Sequence, residues 1–472
     1  MDSQAETGAR WSEILTREYA SKLATLALAI WLHASNSMLT ATTMPSAVED
    51  IGGLNLISWT FALYLMGSII SGASVSLLVT KSGIRATMMR AAMVYAVGCV
   101  VCAMAPTMPV VLVGRVLQGL GGGGLVALVY ISQDRFFPNR FVPKIVACIS
   151  TVWMISAFSG PVIGGAFATL GIWRMAYWAF AFQAVLLMLA IRVLLAAESV
   201  NLGIKAERIP IVRLMFLAAA ILLISMAGAK FDQLLSPILI VMGCLSMVFF
   251  VFRDKTANSS RMLPLEATDL SHSIGNGILT TLLLCLCIMS FLVYGPFILI
   301  KLYGLTPLTA GLVVMLETLA WGSAAIIFSG ADPRNEARLI RIGSAVVVAG
   351  LIGLAWVLPR GPIWAIMLVV IVSNGGFGMM WGFIIKRIIG AASTTEKDRA
   401  ASLLPITQQT GFALGAALSG LIANSLGVSE QMSDEGLRSV AFWLFAGFIP
   451  VALIGNITAW RFVDDKRSHT KT

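Results

Sequence analysis

Val110–Ile131 reads VVLVGRVLQGLGGGGLVALVYI, an apolar run long enough to cross a bilayer with one cation, Arg115, inside it. A charge surrounded by hydrocarbon is costly, so such a residue has a partner or a task. Working outward, the whole chain shares the run's character. Of its 472 residues 58% are hydrophobic and only 12% charged, where soluble domains run at roughly 25% charged. The chain reads as a polytopic, all-α membrane protein.

About fourteen apolar runs approach the twenty or so residues that span a membrane. They cover 22–44, 56–80, 86–105, 109–132, 145–170, 173–197, 209–229, 234–252, 273–300, 307–329, 339–358, 361–385, 400–425 and 438–461. The run at 22–44 is too long for the core of a cleavable signal and is expected to stay as the first span. With the N-terminus inside, 27 of the 33 Lys and Arg fall in inner segments. The outer set is Arg174, Lys230, Lys301, Arg360 and Arg438, and the last cation is Arg115. This alternation obeys the positive-inside rule and puts both termini in the cytoplasm. It also accounts for the net charge of +10 without nucleic acid.

The spans group as six, two and six. The expected organisation is a cytoplasmic tail 1–21, a six-helix bundle 22–200, a two-helix hairpin 208–254, a second bundle 272–462 and a tail 463–472. A glycine-rich stretch in the second group, SNGGFGMMWGF (Ser373–Phe383), stands where the fourth span of the first group has GRVLQGLGGGGL. Such a repeat suits a transporter built from two bundles with its site near the midplane.

GLGGGG (Gly119–Gly124) satisfies GxGxxG, but it lies mid-span without a preceding strand, so helix packing is the reading rather than nucleotide binding. No GxxxxGK[ST] loop is present, so the chain has no phosphate-binding motor loop of its own. In SAFSGPVIGG (Ser156–Gly165), Gly160, Pro161, Gly164 and Gly165 give a kinked helix with a small-residue face on which a bundle can rock. The six cysteines all lie in apolar runs, and the CxxC spacing of Cys99 and Cys102 reads as packing. No metal, cofactor or enzyme chemistry is expected.

The polar groups inside spans form a short list. Arg115 lies about 10 Å beyond the outer start of its span at helical rise, and Gln118 is one turn along the same face. His33 titrates near neutral pH when unperturbed, and Asn36 follows it. Glu317 is the acid nearest the middle of any span, with Trp321 one turn on and Trp381 in a later span as aromatic walls. Gln408 and Gln409 in TQQTGFALGAALSG (Thr407–Gly420) can hydrogen-bond a polar solute or bridge helices, with bridging the favoured reading. Together with His33, Asn36, Arg115, Gln118, Glu317, Trp321 and Trp381 they form the expected substrate-binding or coupling set.

These residues carry a resemblance to the major facilitator superfamily. GRVLQGLG resembles its fourth-helix motif, and SGPVIGG its fifth-helix antiporter motif with Ser156 at the first glycine's place. SLLVTKSGIR (Ser76–Arg85) is similar to its loop motif, where Gly83 and Arg85 match as gating or packing residues while Thr80 replaces an aspartate. WTFALYL (Trp59–Leu65) and WRMAYW (Trp173–Trp178) look like the fourteen-helix drug:proton antiporter branch. The resemblance implies two six-helix bundles with a two-helix insert, and a part for Arg115 in proton coupling or helix fixing. Asn36 stands where the family pattern carries an aspartate, and it does not titrate.

WLHASNSMLTATTMPSAVEDIGG (Trp31–Gly53) looks like bacterial riboflavin importers of that superfamily. The favoured expectation is alternating-access uptake of a vitamin-like aromatic metabolite such as riboflavin. The alternative is proton-coupled export of hydrophobic drugs, and a non-transporting sensor on the same fold is a third reading. The expected setting is a bacterial cytoplasmic (inner) membrane. The expected partners are a small-molecule substrate, protons and the lipid bilayer, with the chain acting as a monomer.

Overall fold

The computed structural model describes residues 11–14, 16–195, 210–257, 261–393, 396–429 and 431–464. Most of the two expected tails, and Lys205 and Arg208 of the connection after the sixth span, lie outside the described residues. The helices are α1 (Trp11–Ile14), α2 (Arg17–Ile51), α3 (Ile57–Ala103), α4 (Met108–Phe136), α5 (Val142–Thr169) and α6 (Trp173–Leu194). They continue as α7 (Ile211–Ala229), α8 (Leu235–Lys255), α9 (Ser273–Tyr303), α10 (Pro307–Phe328) and α11 (Glu336–Arg360). The chain closes with α12 (Ile363–Ala391), α13 (Lys397–Ser425), α14 (Asp434–Ala446) and α15 (Ile449–Asp464). No β-strand occurs among the described residues.

Two boundaries differ from the sequence reading. The second and third spans form one helical run, α3, which turns at Gly83 with φ 78°, a left-handed backbone that glycine adopts without a Cβ penalty. The last span is divided between α14 and α15 around Gly447 and Phe448. Twelve helical runs are long and apolar enough to cross a membrane. Counting both limbs of α3 and adding the more polar α13 gives the fourteen crossings expected.

The ion pairs agree with the expected sidedness. Cations assigned to the inner face pair there: Arg140 with Glu13 at 3.3 Å, Lys386 with Glu336 at 2.6 Å, and Arg341 with Asp464. On the outer face Lys301 pairs with Glu49 at 2.7 Å and Arg174 with Asp50.

Helix α4 shows why the glycine run exists. A Cβ at Gly119 would lie 2.1 Å from the carbonyl oxygen of Tyr64 on the first limb of α3, and one at Gly121 would lie 2.5 Å from the amide nitrogen of Tyr95 on the second. A Cβ at Gly122 would lie 2.6 Å from Nδ1 of His33 on α2. Both limbs of α3 and the helix α2 therefore press on α4, which only residues without side chains permit. Gly119→Leu is expected to cost about 3 kcal/mol, the upper end for overpacking, because backbone rather than a side-chain tip must move. Gly322→Ala, whose Cβ meets nothing within 4 Å, is the matched control. A thermal-unfolding midpoint in detergent that is equal for the two variants would refute this account of the packing.

The two bundles meet at their outer ends. A Cβ at Gly165 of α5 would sit 2.8 Å from Leu308 Cα of α10, and one at Gly311 of α10 would sit 2.6 Å from the Pro161 oxygen of α5. Asn424 of α13 donates to the Asn55 oxygen at 2.9 Å. Eleven residues along a helix return to within about 20° of the same face. Eleven residues inward from Gly311 and Pro161 stand Gly322, which faces open space, and Ser150, which is exposed. The same faces are thus in contact at the outer end and uncovered at the inner end.

Candidate functional site

Arg115 is fully buried, at 0% exposure. Its Nε donates to the Thr60 oxygen at 2.9 Å, and its Nη1 donates to Asn36 Oδ1 at 2.6 Å and Gln118 Oε1 at 2.7 Å. The guanidinium carbon lies 4.1 Å from the centre of the Tyr64 ring, a cation–π contact strengthened by desolvation. Nη2 has no hydrogen-bond partner. The sequence reading grouped Arg115, Asn36 and Gln118, and the structure brings all three together. Thr60 and Tyr64 were missed, although both lie in WTFALYL, one helical turn apart.

The groups around the arginine are themselves bonded to one another. Gln118 Nε2 donates to Cys99 Sγ at 3.3 Å, and Tyr64 shares a 2.8 Å bond with His33 Nδ1. His33 also packs edge-on against Trp153 of α5, at 5.9 Å between ring centres. Its neighbours therefore come from α3, α4 and α5. All six cysteines are free thiols, and no group of three or more metal-ligating residues occurs among the described residues.

The second half repeats the packing of the first with different chemistry. A Cβ at Gly378 of α12 would lie 2.1 Å from the carbonyl oxygen of Trp321 on α10, the distance found between Gly119 and Tyr64. One turn before each member of these pairs stand Arg115 and Thr60 in the first half, and Asn374 and Glu317 in the second. The repeat thus sets an unneutralised cation in one bundle and an acid at the corresponding level of the other. Glu317 shares the interior face of α10 with the buried Ala310, Val313 and Ala324, and its Oε2 is buried without a hydrogen-bond partner. Beside it Trp321, Phe377 and Trp381 form a wall, with Phe377 stacked on Trp381 at 5.5 Å and edge-on to Trp321 at 5.6 Å.

The remaining expected residues divide between hinge and cavity. A Cβ at Gly160 would lie 2.7 Å from the Ser35 oxygen of α2, and one at Gly164 the same distance from the Leu39 oxygen, so this face of α5 is seated on its own bundle. Pro161 and Gly165 instead face α10 of the other bundle. Arg85 donates to the Arg192 oxygen at 2.5 Å, tying the second limb of α3 to the end of α6. Of the two readings for Gln409 the structure does not show the helix bridge, because its Oε1 is buried without a partner. It lies eleven residues inward from Gly420, whose face packs on Ser58 of α3. Gln409 therefore points along the line where the bundles part. Gln408, about 100° round the helix, is partly exposed.

A fourteen-crossing helical protein of two bundles that meet at one end has the architecture of a secondary transporter. A model of the Major Facilitator Superfamily matches residues 26–387, and the chain belongs to that superfamily. It is a secondary transporter and a multi-pass protein of a cell membrane, not an enzyme. Among its relatives is a probable multidrug-efflux transporter of Mycobacterium tuberculosis, 27% identical over 477 residues that cover 98% of each chain. Another is the multidrug efflux pump SdrM of Staphylococcus aureus, 24% identical over 94% of this chain and 97% of that one. Similar solved structures include a D-xylose-proton symporter, with TM-score 0.69 and 13% identity over 96% of this chain and 99% of that one. A bacterial homologue of the human lysosomal transporter Spinster matches with TM-score 0.67 and 12% identity over 96% and 98% of the two chains.

Proposed function

We propose that this transporter exports hydrophobic, cationic compounds in exchange for protons. The observation that carries the reading is Glu317, an interior carboxyl without a hydrogen-bond partner at its Oε2, set beside the Trp321, Phe377 and Trp381 wall. A flat, apolar cation satisfies both features, since rings stack on the wall and the charge meets the carboxylate. A proton satisfies the same carboxylate. Cargo and proton therefore exclude one another at one group, which is the requirement for exchange. Drug export is also what the names of the Mycobacterium and Staphylococcus relatives describe, over nearly their whole length. Riboflavin uptake rested on the first-span stretch Trp31–Gly53, and none of these relatives supports it.

The test uses inside-out vesicles with an acid interior and follows ethidium accumulation by fluorescence. Wild-type protein is expected to accumulate the dye, and Glu317→Gln to lose at least tenfold of the rate, with Glu317→Asp intermediate. Unimpaired accumulation by Glu317→Gln would sink the role of the carboxyl. Riboflavin uptake by intact cells, without dye export, would reinstate the vitamin reading.

A further inference from the structure

On the inner half of the second bundle the α7–α8 hairpin leans against α9 and α13 and leaves a crevice of about 280 Å³. Its walls include Leu217, Phe250, Val251, Leu279 and Leu403, and its side-chain polar groups are the hydroxyls of Thr268, Thr407 and Thr410. The lining residues of all four helices lie toward their cytoplasmic ends, so the crevice stands at the depth of inner-leaflet acyl chains. This site is independent of the export reading.

The charges at its mouth are unevenly used. Asp254 is buried and accepts bonds from Arg213 and from the amides of Met262 and Leu263 at 2.9 and 2.8 Å. Glu396 accepts from Arg399 Nη1 at 2.5 Å and from the Leu265 amide at 3.3 Å. The Ser271 hydroxyl and amide hold the Asp269 carboxyl down to about 2, so it is ionised and engaged within its own turn. Arg253 and Lys255 are exposed and have no partner among the described residues. Lys255 stands one turn beyond Val251, on the face of α8 that lines the crevice. One further acid, Glu266, is exposed in the same linker. Inside the mouth, Thr268 Oγ1 is buried without a partner.

We propose that this crevice binds an anionic phospholipid of the inner leaflet. An acyl chain fills the apolar walls, the Thr268 hydroxyl donates to an ester carbonyl, and Lys255 holds the phosphate, with Arg253, on the other side of α8, adding to the positive field at the same helix end. Basic side chains at the cytoplasmic surface favour anionic headgroups, and an apolar cleft at that depth fits a chain. The bound lipid fills the seam between hairpin and bundle, so that the two move as one body.

The experiment is native mass spectrometry of the full, purified chain, delipidated and then titrated with phosphatidylglycerol or phosphatidylcholine. One phosphatidylglycerol is expected to be retained at least fivefold better than phosphatidylcholine. Arg253→Ala with Lys255→Ala removes that preference, and Leu279→Trp, which fills the cleft, removes retention of both lipids. Equal retention of the two headgroups by wild-type protein, or retention unchanged in Leu279→Trp, would overturn the proposal. Displacement of the lipid by ethidium would overturn it too, by making the crevice an entry for cargo. Thermal midpoints of the variants, expected to match wild type once lipid is absent, separate loss of the site from loss of the fold.

Discussion

Arg115→Ala is expected to abolish transport and to lower the thermal midpoint of the purified protein by several degrees. The guanidinium is the shared donor of three helices, reaching Asn36 on α2, Thr60 on α3 and Gln118 on its own helix. Without it Asn36 Oδ1 and Gln118 Oε1 lose their donor in a site closed to water, at about 1–3 kcal/mol for each orphaned group. A void also opens against the Tyr64 ring. Arg115→Lys is expected to recover part of the stability at most, because a point-like ammonium cannot serve acceptors spread over three helices as the planar fork does. Asn36→Asp tests the unusual feature of the site, a buried cation whose hydrogen-bond partners are all neutral. An aspartate there stands within bonding distance of Nη1, and the midpoint is expected to rise because the cation gains a counter-charge it now lacks. Arg115→Ala with an unchanged midpoint but no transport would assign the arginine to coupling and reject its role as a helix anchor.

Much of this arrangement is legible along the chain, for reasons that differ by residue. The crossings follow from run length, because a bilayer demands about twenty apolar residues wherever the chain passes. The neighbourhood of Arg115 follows from scarcity: a buried cation needs acceptors, and Gln118 and Asn36 are among the few polar side chains in adjoining spans. The glycine run in α4 implies close packing, but not that α2 and both limbs of α3 occupy its faces, since that depends on the register of distant segments. Tyr64 is hidden for the same reason. Its ring completes the arginine site, yet in sequence it is one aromatic among many in apolar runs. The relation between Glu317 and Arg115 lies between these cases. The glycine-rich repeat announces it faintly, and the equal approach of Gly119 to Tyr64 and Gly378 to Trp321 gives it a residue-by-residue register. The buried pair of Arg213 and Asp254 in the hairpin is hidden in the sequence, because near a span end a paired charge looks like an ordinary flanking one.

Joining Gly165 to Leu308 by a disulfide is expected to stop transport completely and reversibly. A Cβ at Gly165 would lie 2.8 Å from both Leu308 Cα and the Pro307 oxygen, so the two helices must ease apart by a few tenths of an ångström to seat it. Cysteines at both positions then bring their Cβ atoms near the roughly 3.5–4.5 Å that a disulfide needs. The bond would tie α5 to α10 at the outer end, where the bundles already meet. Cargo could then enter from the cytoplasm but not leave outside. Oxidation should therefore halt accumulation in the vesicle assay, reductant should restore it, and neither single variant should respond, with the exposed Cys244 and half-buried Cys148 replaced by serine. The inner counterpart sharpens the test. Ser150 and Gly322 each stand eleven residues inward from Pro161 and Gly311, on the same faces, and in this conformation those faces are apart. Cysteines at 150 and 322 should cross-link slowly in resting protein and faster when a proton gradient and cargo drive the cycle. If the outer pair cross-links fully and transport continues, the two bundles do not alternate about this interface. If the inner pair cross-links as fast at rest as in turnover, the cytoplasmic opening is not the resting state. The expected pattern, outer pair at rest and inner pair in turnover, is what one rigid bundle rocking on the Pro161 kink requires.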